Sequence, residues 1–344
     1  MKLAKSLLLG SAAGLAAVAG AQAADLPSRK AEAVEYVRVC STYGVGFFYV
    51  PGTDSCLRIS GRLRADYRYV EPLTRVQDAF GWRVRGRVNF DHRTATAYGL
   101  LRTYIRYELD RDSGTPFSQT GAIATNPKLQ QGFIQFGGLT AGRVTSFFSN
   151  ADLPTTHMGT LRFDDAPDVD VLAYTFSFGN GFSATIAAED PLSRRVFSPV
   201  IGGFGQSLLL DGTVPAGTRM PDIVANLKYA GTWGGVQLSG AVHQIRDVGW
   251  QFGTLPDPFL PAIADTDYGF AVGLSAYVNL PTLGAGDNAW VFATYTDGAA
   301  AYINGGQDAP IYTASIGANP LDLAVADGFI NTFTGDIKTT KAWS

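Results

Sequence analysis

Along residues 57–69 apolar and polar side chains alternate without a break: Leu57, Ile59, Gly61, Leu63, Ala65, Tyr67 and Tyr69 against Arg58, Ser60, Arg62, Arg64, Asp66 and Arg68. A period of two sustained this long predicts an extended strand with one apolar and one charged face. The pattern returns in residues 82–93, where Trp82, Val84, Gly86, Val88 and Phe90 oppose Arg83, Arg85, Arg87, Asn89, Asp91 and Arg93. A connection centred on Glu71-Pro72 joins the two, so they are expected to be antiparallel neighbours whose arginines share one surface. A soluble sandwich also alternates, with its arginines in water. These strands, however, exceed the usual ~5–6 residues and match the ~9–11 of a membrane-spanning strand. If the apolar face meets lipid, the arginines must line a wet interior, because each would cost roughly 2–4 kcal/mol at mid-bilayer.

The remaining chain decides between these readings. Residues 99–110 alternate again, with Arg102 and Arg106 on the polar side. Residues 132–143 form a weaker strand whose facing is ambiguous, because Phe133 and Ile134 are adjacent. Further alternation marks residues 172–178, 182–188, 223–229, 236–243, 268–280 and 289–296, which with a short apolar run at 45–50 makes about eleven strands. Short turns, such as 94–97, Gly179-Asn180-Gly181 and Gly234-Gly235, take turns with long connections at 111–130, 149–170, 191–221 and 297–341. Short turns on one side and long loops on the other are the pattern of an outer-membrane barrel, and a soluble sandwich gives no reason for them. The expected fold class is therefore all-β, a transmembrane antiparallel barrel.

Residues 1–23 read as a secretory signal peptide: Lys2 and Lys5, an apolar run over 6–19, then Ala21-Gln22-Ala23 as a small-x-small cleavage site. Residues 24–56 form an N-terminal segment and residues 57–344 the barrel. In an exported chain the two cysteines, Cys40 and Cys56, are expected to form a disulfide. An apolar fraction of 46% excludes a disordered chain, and a formal charge of −3 gives no argument for nucleic acid. The connection 149–170 is acidic, with Asp152, Asp164, Asp165, Asp168 and Asp170.

Several segments resemble the alphaproteobacterial porin family. They are Ala24-Asp25-Leu26-Pro27, the run from Glu35 to Cys40, and Tyr49-Val50-Pro51-Gly52-Thr53-Asp54-Ser55-Cys56-Leu57-Arg58-Ile59. To these are added Leu101-Arg102-Thr103-Tyr104-Ile105-Arg106 and Gly142-Arg143-Val144-Thr145-Ser146-Phe147-Phe148. The resemblance implies a homotrimer of sixteen-stranded barrels in outer-membrane lipid, passing small hydrophilic solutes and ions. It also implies a third extracellular loop folded into the barrel, and the acidic connection 149–170 sits at the matching place. Family members end in a strand with a terminal aromatic, whereas this chain stops at Ala342-Trp343-Ser344, so the last strands are expected to be missing from it.

The expected function is passive diffusion. Arg58, Arg62, Arg64, Arg83, Arg85, Arg87, Arg102 and Arg106 would form a basic pore wall facing the acidic constriction loop. No cofactor, metal site or catalytic set is indicated. Asp91 and His92 are strand neighbours and point to opposite faces. His157 and His243 have no readable partner, and Gly284-Ala285-Gly286 lacks the context of a nucleotide loop. The rival reading is a plugged barrel serving as an adhesin or structural protein through its long loops.

Overall fold

The computed structural model describes residues 38–72, 74–115, 117–118, 121–153, 167–194, 214–249, 263–304, 327–330 and 336–344. The proposed signal peptide therefore lies outside the described residues. One antiparallel sheet dominates. Its long strands are β2 (Cys56–Tyr69), β3 (Phe80–Thr96), β4 (Gly99–Ser113), β5 (Ile123–Phe136), β6 (Leu139–Thr145), β7 (Asp168–Gly179) and β8 (Phe182–Glu189). They are followed by β10 (Asp222–Gly231), β11 (Gly234–Gly249), β12 (Ile263–Asn279) and β13 (Asn288–Asp297). Short pieces are β1 (Phe48–Tyr49), β9 (Val214–Pro215), β14 (Gly328–Ile330), β15 (Ile337–Thr339) and β16 (Lys341–Trp343). The sheet runs in chain order from β1 to β13 and on to β16, with β9 beside β11. Among the described residues no helix is long and apolar enough to cross a membrane, a statement that leaves a barrel untouched.

Register follows the alternation. Arg62 pairs with Arg87 and Arg64 with Arg85 across β2 and β3, while Arg85 pairs with Asp110 across β3 and β4. A shift of one residue would have turned the charged face into the lipid. Outside, Ile59, Leu63, Trp82, Val84, Leu172, Phe176, Leu227 and Leu274 stand exposed in a belt. The turn between β7 and β8 needs three left-handed residues, and Gly179, Asn180 and Gly181 supply them at φ 82°, 52° and 85°.

Three sequence expectations change. The polar connection expected at 111–130 is mostly strand, because β4 runs to Ser113 and β5 starts at Ile123. The weak strand expected at 132–143 is two strands separated by a tight turn, with Gly137 at φ 59°. A register shift between Arg106 and Tyr107 against β5 hides the alternation there. It turns Phe133 inward, buried against Tyr104 with ring centroids 5.2 Å apart, and leaves Ile134 outside. Finally, 297–341 is not wholly loop, since it holds α1 (Ala301–Asn304) and the β14–β15 hairpin.

The sheet is curled. Phe148, in the connection after β6, packs at Gly273 on β12, five strands along the order, and a Cβ on Gly273 would lie 3.0 Å from the Phe148 ring. At the other end, the Cys40–Cys56 disulfide closes a loop whose Phe47 is buried. Arg58 and Arg93 each stand 4.9 Å from the Phe47 ring centroid. The disulfide expected from the two cysteines is present.

Candidate functional site

The inner face of β2–β5 carries eleven arginine and lysine side chains and five carboxylates, a surplus of six positive charges. They are arranged in layers. The carboxylates of Glu108, Asp110 and Asp112 lie against the sheet with side-chain exposures of 0–2%, and Arg83, Arg85 and Arg87 cover them at 17–24%. Arg83 donates to both Asp112 oxygens at 2.7 and 3.1 Å, Arg85 to both Asp110 oxygens at 2.6 and 2.7 Å, and Arg87 to Glu108. Asp91 does the same for the lower part of the wall. It accepts from Arg93 at 2.9 and 3.1 Å and from Arg102 at 3.0 and 3.1 Å, with Arg58 at 3.7 Å. Such two-point charged contacts fix the guanidinium planes. Arg64 pairs with Asp66 at 2.7 Å, and Arg106 donates to Asn89 and the Tyr104 hydroxyl. Arg62, facing Arg87, has no hydrogen-bond or ion-pair partner among the described residues.

The expected basic wall is thus assembled on one surface, but not as free arginines. Each acid sits opposite or diagonal to a cation on the neighbouring strand, where cross-strand distances of ~4.5–5.5 Å make pairing easy. Burial of the acids beneath the cations means that the wall presents guanidinium, not carboxylate, to the interior.

The acidic connection behaves differently from its expected form. Asp152 is on the inner face, bound to Lys228 of β10 at 2.7 Å, with the Tyr277 hydroxyl at 3.5 Å. Asp164 and Asp165 lie outside the described residues. Asp168 and Asp170 are not in a loop but open β7, paired with Thr145 and Arg143 of β6. Alternation sets Asp170 on the outward face of Leu172 and Tyr174, whereas Asp168, at the start of the strand, is buried. Asp168 accepts hydrogen bonds from Gln130, Gln131 and Thr145, and Asp170 is 63% exposed near Arg143. The valines that alternate with them, Val169 and Val171, extend the strand pattern back into the stretch expected to be loop.

Residues 146–153 are fastened to the inner face of β8 and β10–β12. Glu189 accepts from the Ser146 hydroxyl and the Phe147 amide, both at 2.8 Å. Asn226 donates to the Phe147 carbonyl at 2.7 Å, Gln237 to the Phe148 carbonyl at 3.2 Å, and Asn150 to Ser275 at 3.0 Å. The Phe148 ring is fully buried on a floor of small residues that includes Ala187, Val224, Ala241 and Ala271. The backbone groups of a segment lifted off the sheet are thereby satisfied without a ladder.

One cluster was not legible in the sequence. His243 stands between Asp222, 2.8 Å from Nδ1, and Asp327, 3.6 Å from Nε2. Tyr302 of α1 donates to Asp222 at 2.7 Å. Burial, with the Asp222 and Glu189 carboxylates adding to it, holds the Tyr302 phenol well above its usual range, so it remains the O–H donor. Arg194 lies 4.4 Å over the Tyr302 ring. Asp222 and His243 are 21 residues apart and meet only because β10 and β11 are neighbours. Among the described residues no group of histidine, cysteine and carboxylate side chains could hold a metal ion.

The family model described as "Porin subfamily" matches residues 25–343. Porin Omp2b of Brucella suis is 37% identical over 251 residues, covering 67% of this chain and 64% of that protein. Porin Omp2a of Brucella ovis is 38% identical over 253 residues, covering 67% and 68%. The chain therefore spans about two thirds of the length of these relatives. Among solved structures, the outer membrane channel DcaP of Acinetobacter baumannii matches with a TM-score of 0.53 at 15% identity, over 75% of this chain and 68% of that one, a likeness of fold.

Proposed function

The chain belongs to the porin subfamily, and from that membership we propose that it forms an outer-membrane diffusion channel for small hydrophilic solutes and ions. Its porin relatives support a channel rather than an enzyme. Transport is passive. The leader 1–23 is removed on export, the disulfide-closed segment to residue 56 precedes the barrel, and three copies associate as the family resemblance implies.

The observation that carries this reading is the layered wall of β2–β5, with guanidinium groups facing the interior over buried carboxylates. A wall of this kind costs little to solvate and holds its charges still, so a passing anion meets fixed positive groups without a deep well. Arg58, Arg62, Arg64, Arg83, Arg85, Arg87, Arg102 and Arg106 are its lining. Residues 146–153, with Asp152, narrow the passage from the opposite side.

Swelling of proteoliposomes in isotonic solutes tests it. Entry rates are expected to fall with sugar size and to be higher for a small anionic solute than for a cationic one of equal size. Absence of swelling from folded, heat-modifiable protein would overturn the channel and favour a plugged barrel.

A further inference from the structure

We propose that residues 299–304, held by Asp327, form a second inward insertion beside residues 146–153 and confine the water path to the arginine side of the barrel; this deepens the channel reading and rests on it. The inner wall itself is the first observation. A wall that meets water is expected to be polar, as it is on β2–β5. On β7, β8 and β10–β12 the inward positions instead hold a buried apolar patch, Val169, Val171, Ala173, Ala187, Val224, Ala241 and Ala271, set among buried polar groups such as Asp222, Asn226, Gln237 and His243. Over residues 171–174 β7 is apolar on both faces, since Leu172 and Tyr174 point outward. In a barrel, a strand apolar on both sides must be covered on the inside as well.

The cover is in place. Ala299, Ala300, Ala301 and Tyr302 are 0–2% exposed. The Tyr302 ring meets Phe148 edge-on at 4.7 Å, so the two inserted segments form one plug of packing with the wall. Polar contacts fix its position. Tyr302 donates to Asp222, the Ala301 amide to Asp327 at 3.3 Å, and Arg194 to the Ala301 carbonyl at 3.5 Å. The chain that follows is tied to the same wall: Ile337 packs on Ile245, and its amide donates to Asp265 at 2.9 Å. The buried Tyr302 hydroxyl and the buried Asp222 and Asp327 carboxylates need partners to be tolerated when dry, and they find them in one another, in His243 and in the Ala301 amide. This pairing specifies one seat for the segment. With this part of the inner wall dry, solutes are left the face of β2–β5.

The test uses the full-length protein extracted from outer membrane and inserted in planar bilayers. Tyr302→Ala is expected to raise the open-channel conductance and to shift upward the size at which uncharged polymers are excluded. Tyr302→Phe keeps the ring and is expected to leave the size limit unchanged. An unchanged limit in folded Tyr302→Ala would overturn the proposal alone, whereas a silent wild type would overturn the channel reading with it. Thiol labelling answers the case where the alanine variant does not fold. The two native cysteines are joined, so an introduced cysteine is the lone thiol. Ala300→Cys is expected to resist a small water-soluble thiol reagent under conditions where Ser60→Cys, on the arginine side, reacts. Rapid labelling at position 300 would refute the dry part of the wall.

Discussion

Replacing Arg83, Arg85 and Arg87 together by serine removes three charges from the wall and bares Asp112, Asp110 and Glu108. The inner surplus on β2–β5 falls from six to three. A unit charge ~10 Å from a permeating ion is worth about 0.4 kcal/mol in water. Screening at 0.1 M, with a Debye length of ~10 Å, cuts this to about 0.15. Three charges then amount to about 0.5 kcal/mol, felt with opposite sign by anion and cation, or about 0.9 between them. At 1.36 kcal/mol per tenfold this is about a fivefold rise in the cation-to-anion permeability ratio. Reversal potentials across a potassium chloride gradient centred near 0.1 M read this directly. At ~1 M, where the Debye length is ~3 Å, the shift should all but vanish. Arg85→Ser combined with Asp110→Asn removes one charge of each sign and should leave the ratio where it was. An unchanged reversal potential in the triple variant would show that the arginines do not set selectivity. It would mean that the bared carboxylates take up protons and that the arginines act only as their structural cover.

Two further outcomes concern the framework. Phe148→Ala should destabilise the barrel by about 3–5 kcal/mol, as large-to-small changes at fully buried aromatics do, and release residues 146–153; a lower temperature for loss of the folded gel band and a higher conductance would report it. Reduction of the Cys40–Cys56 bridge should cost about 3 kcal/mol for a loop of this size, seen as a lower unfolding temperature with reductant, and no change in a Cys40→Ser/Cys56→Ser variant.

The arginine face was legible because β2, β3 and β4 are apolar on one face and charged on the other, and that contrast appears as strict alternation. Where the contrast is lost, the signal fades. β5 carries a register shift beside Leu129, so its apolar residues change faces midway. β7 carries Val169, Val171 and Ala173 inward because Phe148 and Tyr302 cover them. Its two-sided apolar character is the trace in the sequence of an interior that is filled. Asp168 and Asp170 read as loop acids, although Val169 and Val171 alternate with them, and the pairing with β6 makes them strand residues. The His243 cluster had no local signature, since its partners Asp222 and Asp327 come from a neighbouring strand and a distant connection.

The channel reading stands or falls on an open, water-filled path along the arginine wall. Single-channel recording of the protein extracted from its own outer membrane decides whether that path exists. Uniform ion-conducting steps are expected, in threes for the proposed trimer, with anions preferred at low salt. Silence from folded, heat-modifiable protein, or a clear preference for cations, would contradict it.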